Sequence, residues 1–81
     1  SIQDFLGLCE KMVSSTGGFG HVFHMTSYGR IIVVNEIGGF VCEHRIQGAP
    51  SESPHQNSIV VAQPNVILAS LGGFLSIVQD G

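Results

Sequence analysis

The chain repeats itself. Residues 30–46 read RIIVVNEIGGFVCEHRI and residues 64–79 read PNVILASLGGFLSIVQ. Aligning Gly38-Gly39 with Gly72-Gly73 superposes an apolar run, a Gly-Gly-Phe step and a second run, at a spacing of 34 residues. A repeat of that length marks a supersecondary unit that cannot bury its apolar face alone and stacks on a neighbour. In each copy the Gly-Gly pair lies between two strand-like runs. Hairpin turns need positive φ at their centre, which glycine adopts without steric cost, so each copy predicts a β-hairpin.

The rest of the chain builds around those hairpins. Residues 1–16 predict a helix, because Ile2, Phe5, Leu6, Cys9, Met12 and Val13 fall on one helical face while Gln3, Asp4, Glu10 and Lys11 fall on the other. Ser1 is its expected cap and Gly17-Gly18 its expected stop. Residues 20–46 predict a three-stranded antiparallel meander made of HVFHMTS, a turn at Tyr28-Gly29, RIIVVNEI and FVCEHRI. Residues 47–57, QGAPSESPHQN, read as a loop. Residues 58–79 predict a second three-stranded meander from SIVVA, VILASL and FLSIVQ. The expectation is one domain over 1–81, mainly β, with an N-terminal helix and two meanders related by the repeat.

Composition narrows the partners. Charged residues make up 11% of the chain, Lys11, Arg30 and Arg45 are its only strong bases, and the formal net charge is -3. Phosphate binding needs a concentrated basic patch, so nucleic acid and polybasic membrane contact are both disfavoured. Ile31–Val34 and Val66–Leu68 are apolar without alternation, the pattern of strands covered on both faces. One helix does not cover both faces of six strands. With 43% hydrophobic residues, the remainder calls for a protein partner or a homo-oligomer. The apolar stretch from Val66 to Val78 is shorter than the roughly 20 residues of a membrane-spanning helix, and Gly72-Gly73 interrupts it. A start at Ser1 fits a processed product, a cleaved subunit or an excised fragment.

GRIIVVNEIGGFVCEHRI followed by NVILASLGGFLSIVQDG resembles the inner strands of β-propeller blades of the WD40 or YVTN type, over about residues 20–79. The chain has no Trp and so no Trp-Asp signature, and its spacing is shorter than the roughly 40–45 residues of a WD40 blade. Two blades do not close a ring. The resemblance therefore implies a fragment, or a subunit whose partners complete the toroid.

Several residue groups bear on chemistry. Cys9 and Cys42 allow a disulfide tying the helix to a strand, two buried thiols, or a metal site. A disulfide would place the protein outside the cell, reduced thiols inside. Cys42 and His44 are two apart on a strand and share a face, which suits zinc ligation, whereas His21 and His24 face apart. Cys9 or Cys42 with His24 or His44 could form a nucleophile pair, but a meander offers little room for an oxyanion pocket. Glu36 and Glu43 flank the first hairpin and read as solubilising charges before they read as an acid–base pair. The Gly-Gly-Phe steps at 17–19, 38–40 and 72–74 lack the following Lys and Ser/Thr of a phosphate loop. Turn geometry explains them, with Phe19, Phe40 and Phe74 as anchors beneath the turns.

These readings converge on a non-catalytic interaction or scaffold module without a cofactor, part of a larger β-rich assembly. Phe40, Val41, Phe74, Leu75 and Ile77 are the interface candidates. The alternative from a different class is a small secreted toxin or effector stapled by Cys9–Cys42.

Overall fold

A computed structural model describes residues 2–46, 58–71 and 74–79 of the chain. It contains two antiparallel meanders. The first sheet runs β1 (Met12–Gly18), β2 (His21–Thr26), β3 (Arg30–Asn35) and β4 (Phe40–Arg45), neighbours in that order. The second runs β5 (Ser58–Gln63), β6 (Val66–Leu71) and β7 (Phe74–Gln79). The expected loop over 47–57 lies outside the described residues, as does the Gly72-Gly73 step.

The N-terminal helix expected over 1–16 does not form. A lone 3-10 turn covers Ile2–Phe5, the chain takes positive φ at Cys9, and Met12–Gly18 is a strand. The helical spacing of apolar residues is outweighed by tertiary pairing, since β1 hydrogen-bonds to β2 along its length and fills a fourth place in the first sheet. Gly17 and Gly18, the expected helix stop, instead pair with Val22 and His21.

The turns follow from local chemistry. Phe19 and Gly20 both have positive φ, the arrangement of a two-residue primed turn between β1 and β2. Phe19 is exposed there rather than buried beneath the turn. Between β2 and β3, Gly29 has positive φ and donates its N–H to the Thr26 carbonyl, as the Tyr28-Gly29 signal leads one to expect. Between β3 and β4 the Gly-Gly pair is only half of the connection. Asn35 Oδ1 accepts N–H bonds from Ile37 and Gly39, Gly38 N donates to Asn35 O, and Gly38 has a φ of 89°. Asn at the first position and a left-handed Gly at the fourth suit a type I turn with a following bulge. A Cβ on Gly38 would meet no atom within 4 Å, so any penalty there comes from the backbone alone. Gly38→Ala is expected to cost about 1–2 kcal/mol, read as a lower thermal midpoint; an unchanged midpoint would contradict the left-handed assignment.

The sheets pack face to face. Phe23, Met25, Ile31 and Val33 of the first meet Ile59, Ile67 and Ala69 of the second, with Ile46 closing one end and Val13, Cys42, Val61 and Val78 at the margins. The sheets come closest where β1 meets β5.

Strand alternation turns Arg30, Ile32 and Val34 to the other face of the first sheet. Ile32 and Val34 are buried all the same, and the N-terminal segment lies on that side. The Phe5 ring stands 5.5 Å from that of Phe40, the Phe5 carbonyl accepts from Arg30 Nη2, and the Leu8 carbonyl accepts from the Tyr28 hydroxyl. Residues read as a helix thus serve as a cover for the first sheet.

Candidate functional site

The outer face of the second sheet has no such cover among the described residues. Val60 stands opposite Leu68 and Leu68 opposite Ile77, so the three side chains form one row across β5, β6 and β7. They point away from the first sheet, because their neighbours Ile59, Val61, Ile67, Ala69 and Val78 point into the core. Val60 is 51% exposed, Leu68 37% and Ile77 72%. A cross-strand apolar row is the unit by which one sheet packs on another.

The interface candidates divide in two. Ile77 belongs to this row. Phe40 and Val41 are exposed on the edge strand β4, with Phe40 leaning on Phe5. Phe74 and Leu75 belong to β7, and their side chains lie outside the described residues. Val60 and Leu68 were missed as interface residues, although Leu68 lies in one of the unalternating runs that signalled two-sided cover.

The Cys9–Cys42 disulfide is not formed. Cys9 is exposed on the N-terminal segment, while Cys42 packs against the core on the opposite face of the first sheet, so that sheet stands between the sulfurs. The stapled-toxin alternative loses its structural basis with it. Cys42 and His44 do share a face, with Sγ 3.6 Å from Nε2. Among the described residues no three His, Cys, Asp or Glu side chains cluster as a metal would need.

The remaining histidines are separated as strand alternation requires. The His21 ring stands edge-on to Phe23 at 6.1 Å. His24 Nδ1 lies 3.1 Å from Ser15 Oγ, and burial pushes its pKa down. His55 lies outside the described residues. Glu43 is bound to Arg30 at 2.6 Å while Glu36 is exposed in the β3–β4 turn, so they do not act as a pair.

Sequence reasoning missed the strongest electrostatic feature. Glu10, expected on the solvent face of a helix, has a side chain only 1% exposed and lies 2.6 Å from Arg30 Nη2. Arg30 also donates Nε–H to Glu10 Oε2 at 2.8 Å, making a two-pronged contact. Gly7 N–H and the Thr26 hydroxyl supply further donors to the same carboxylate. The hydrogen bonds from Arg30 outweigh the cost of burial and hold the Glu10 pKa at about 2. The reciprocal contact raises that of Arg30. The adjoining open recess of about 470 Å³, lined by Gln3, Leu6, Gly7, Glu10, Lys11 and Met12, therefore presents a carboxylate already saturated with donors. This cluster fastens the N-terminal cover to the first sheet.

No helix among the described residues is long and apolar enough to cross a membrane. No family model, curated protein or solved structure matches the chain.

Proposed function

We propose that the chain is a non-catalytic interaction or scaffold module that docks onto a further β-sheet through the outer face of its second sheet. The row Val60–Leu68–Ile77 carries this reading, because it lies in register across every strand of that sheet. The opposite end of the two-sheet stack has a cover built from the chain itself. In the larger picture, the two meanders are blade-like units of a WD40- or YVTN-type assembly. Sequential antiparallel order within each sheet supports this.

Native mass in solution tests the proposal. The isolated chain, lacking any other sheet to dock on, is expected to associate with itself as concentration rises. Ile77→Lys, which puts an ammonium on the most exposed member of the row, is expected to return it to a monomer of 8.6 kDa with an unchanged thermal midpoint. A wild-type chain that remains an 8.6 kDa monomer at hundreds of micromolar would sink the reading.

A further inference from the structure

We propose that β7 is a self-pairing edge: it takes β7 of a second copy antiparallel to itself and joins the second sheets of the two copies into one continuous sheet. A sheet edge presents a row of unpaired N–H and C=O groups, and proteins blunt such edges with bulges, charges or prolines. The two sheets have four edge strands, β1, β4, β5 and β7, and the first three are blunted. β1 slips in register between Met12 and Ser14 and ends in Gly17-Gly18. β4 is bulged opposite the Val33–Val34 step and carries Glu43 and Arg45. β5 slips between Val61 and Gln63, and Pro64 follows it. β7 has none of these devices. It pairs with β6 from Phe74 to Gln79 without a slip, and FLSIVQ holds no charge, proline or glycine.

Position, register and charge fit a second copy to that edge. β7 lies at the end of its sheet away from β5, the strand that comes closest to the first sheet, and among the described residues its one strand partner is β6. Antiparallel pairing sets residues of the same face opposite one another, so Ile77 stands opposite its own counterpart. The exposed row Val60–Leu68–Ile77 then runs on into the same residues of the other copy in reverse order. Because the strand is uncharged, the twofold arrangement sets no like charges against each other. Each β7 supplies the alternate N–H and C=O groups that turn away from β6. This contact is lateral and made by main chain, whereas the docking proposed above is face to face, so each stands or falls without the other.

The experiment is residue-resolved amide hydrogen exchange on the wild-type chain at low micromolar and at hundreds of micromolar concentration. At the higher concentration, alternate amides along Phe74–Gln79 are expected to slow by about tenfold, the effect of gaining a main-chain hydrogen bond. The amides of β4, the blunted edge, are expected to keep their rates. A β7 in which no alternating set slows, or slowing at β4 in place of β7, overturns the proposal. Leu68→Lys separates the two modes of contact, because it charges the outer row without altering the β7 backbone. This variant is expected to keep the concentration-dependent protection of β7 and the mass of a dimer. A Leu68→Lys chain that folds, stays monomeric and shows no β7 protection overturns edge pairing and leaves face docking in place. The wild-type exchange pattern decides by itself if that variant does not fold.

Discussion

Arg30→Met is expected to destabilise the protein by about 3–5 kcal/mol at neutral pH, because it leaves a buried carboxylate without its counter-ion. Glu10 has almost no access to water, and its remaining donors, Gly7 N–H and the Thr26 hydroxyl, do not carry charge. The pH dependence identifies the cause. A carboxylate whose pKa falls from the ordinary 4.5 to about 2 on folding contributes stability that is fully present above 4.5. That contribution is lost as pH falls through 2. At about 1.4 kcal/mol per pH unit, the depression corresponds to about 3 kcal/mol, consistent with the loss expected from breaking the pair. The gap between wild type and Arg30→Met is therefore widest at pH 7 and narrows towards pH 2. Urea unfolding at pH 7 and pH 3 measures it. A deficit below about 1 kcal/mol at pH 7, or one equal at both pH values, would mean that the contact contributes no more than a surface ion pair.

Phe23→Ala is expected to cost about 3–5 kcal/mol, the range for emptying a buried aromatic site. Phe23 is 1% exposed and belongs to the seam where the two sheets meet. A domain of 81 residues has roughly 4–12 kcal/mol of stability in total, so this single cavity removes a quarter of it or more. At about 4–8 °C per kcal/mol, the thermal midpoint drops by well over 10 °C. Ile77→Ala, on the outer row, is the matched control and stays within about 0.5 kcal/mol. Equal midpoints for the two variants would show that the inter-sheet seam is not the core.

Six strands were legible because their signals are local. HVFHMT, RIIVVN and FVCEHR are dense in β-branched and aromatic residues and bounded by turn-forming residues, as are SIVVAQ, VILASL and FLSIVQ. The seventh, Met12–Gly18, was not, because Met12 and Val13 complete a helical spacing while Ser14, Ser15 and Thr16 give no alternation. What makes it a strand is the edge of β2, an element that no local window contains. The Glu10–Arg30 contact was hidden for the same reason, joining residues 20 apart on elements whose meeting depends on the fold. The shared face of Cys42 and His44 was legible, since two-residue periodicity fixes it. Their closeness was not, because it depends on how the two side chains turn towards each other. The bare row was half legible. The unalternating run Val66–Leu68 signalled two-sided cover, but only strand register shows that Val60, Leu68 and Ile77 line up.

The N-terminal cover also limits what the docking face can build. A body with sticky surfaces at both ends adds copies without limit and grows into a filament. Here Phe5 and the Arg30 contacts cover the outer face of the first sheet, while among the described residues the outer face of the second stays bare. Two copies that met through that face would do so by a twofold rotation, each using the same patch. If the proposed docking through Val60, Leu68 and Ile77 holds, the segment that replaces the expected helix caps the far face of the stack and orients growth to one side.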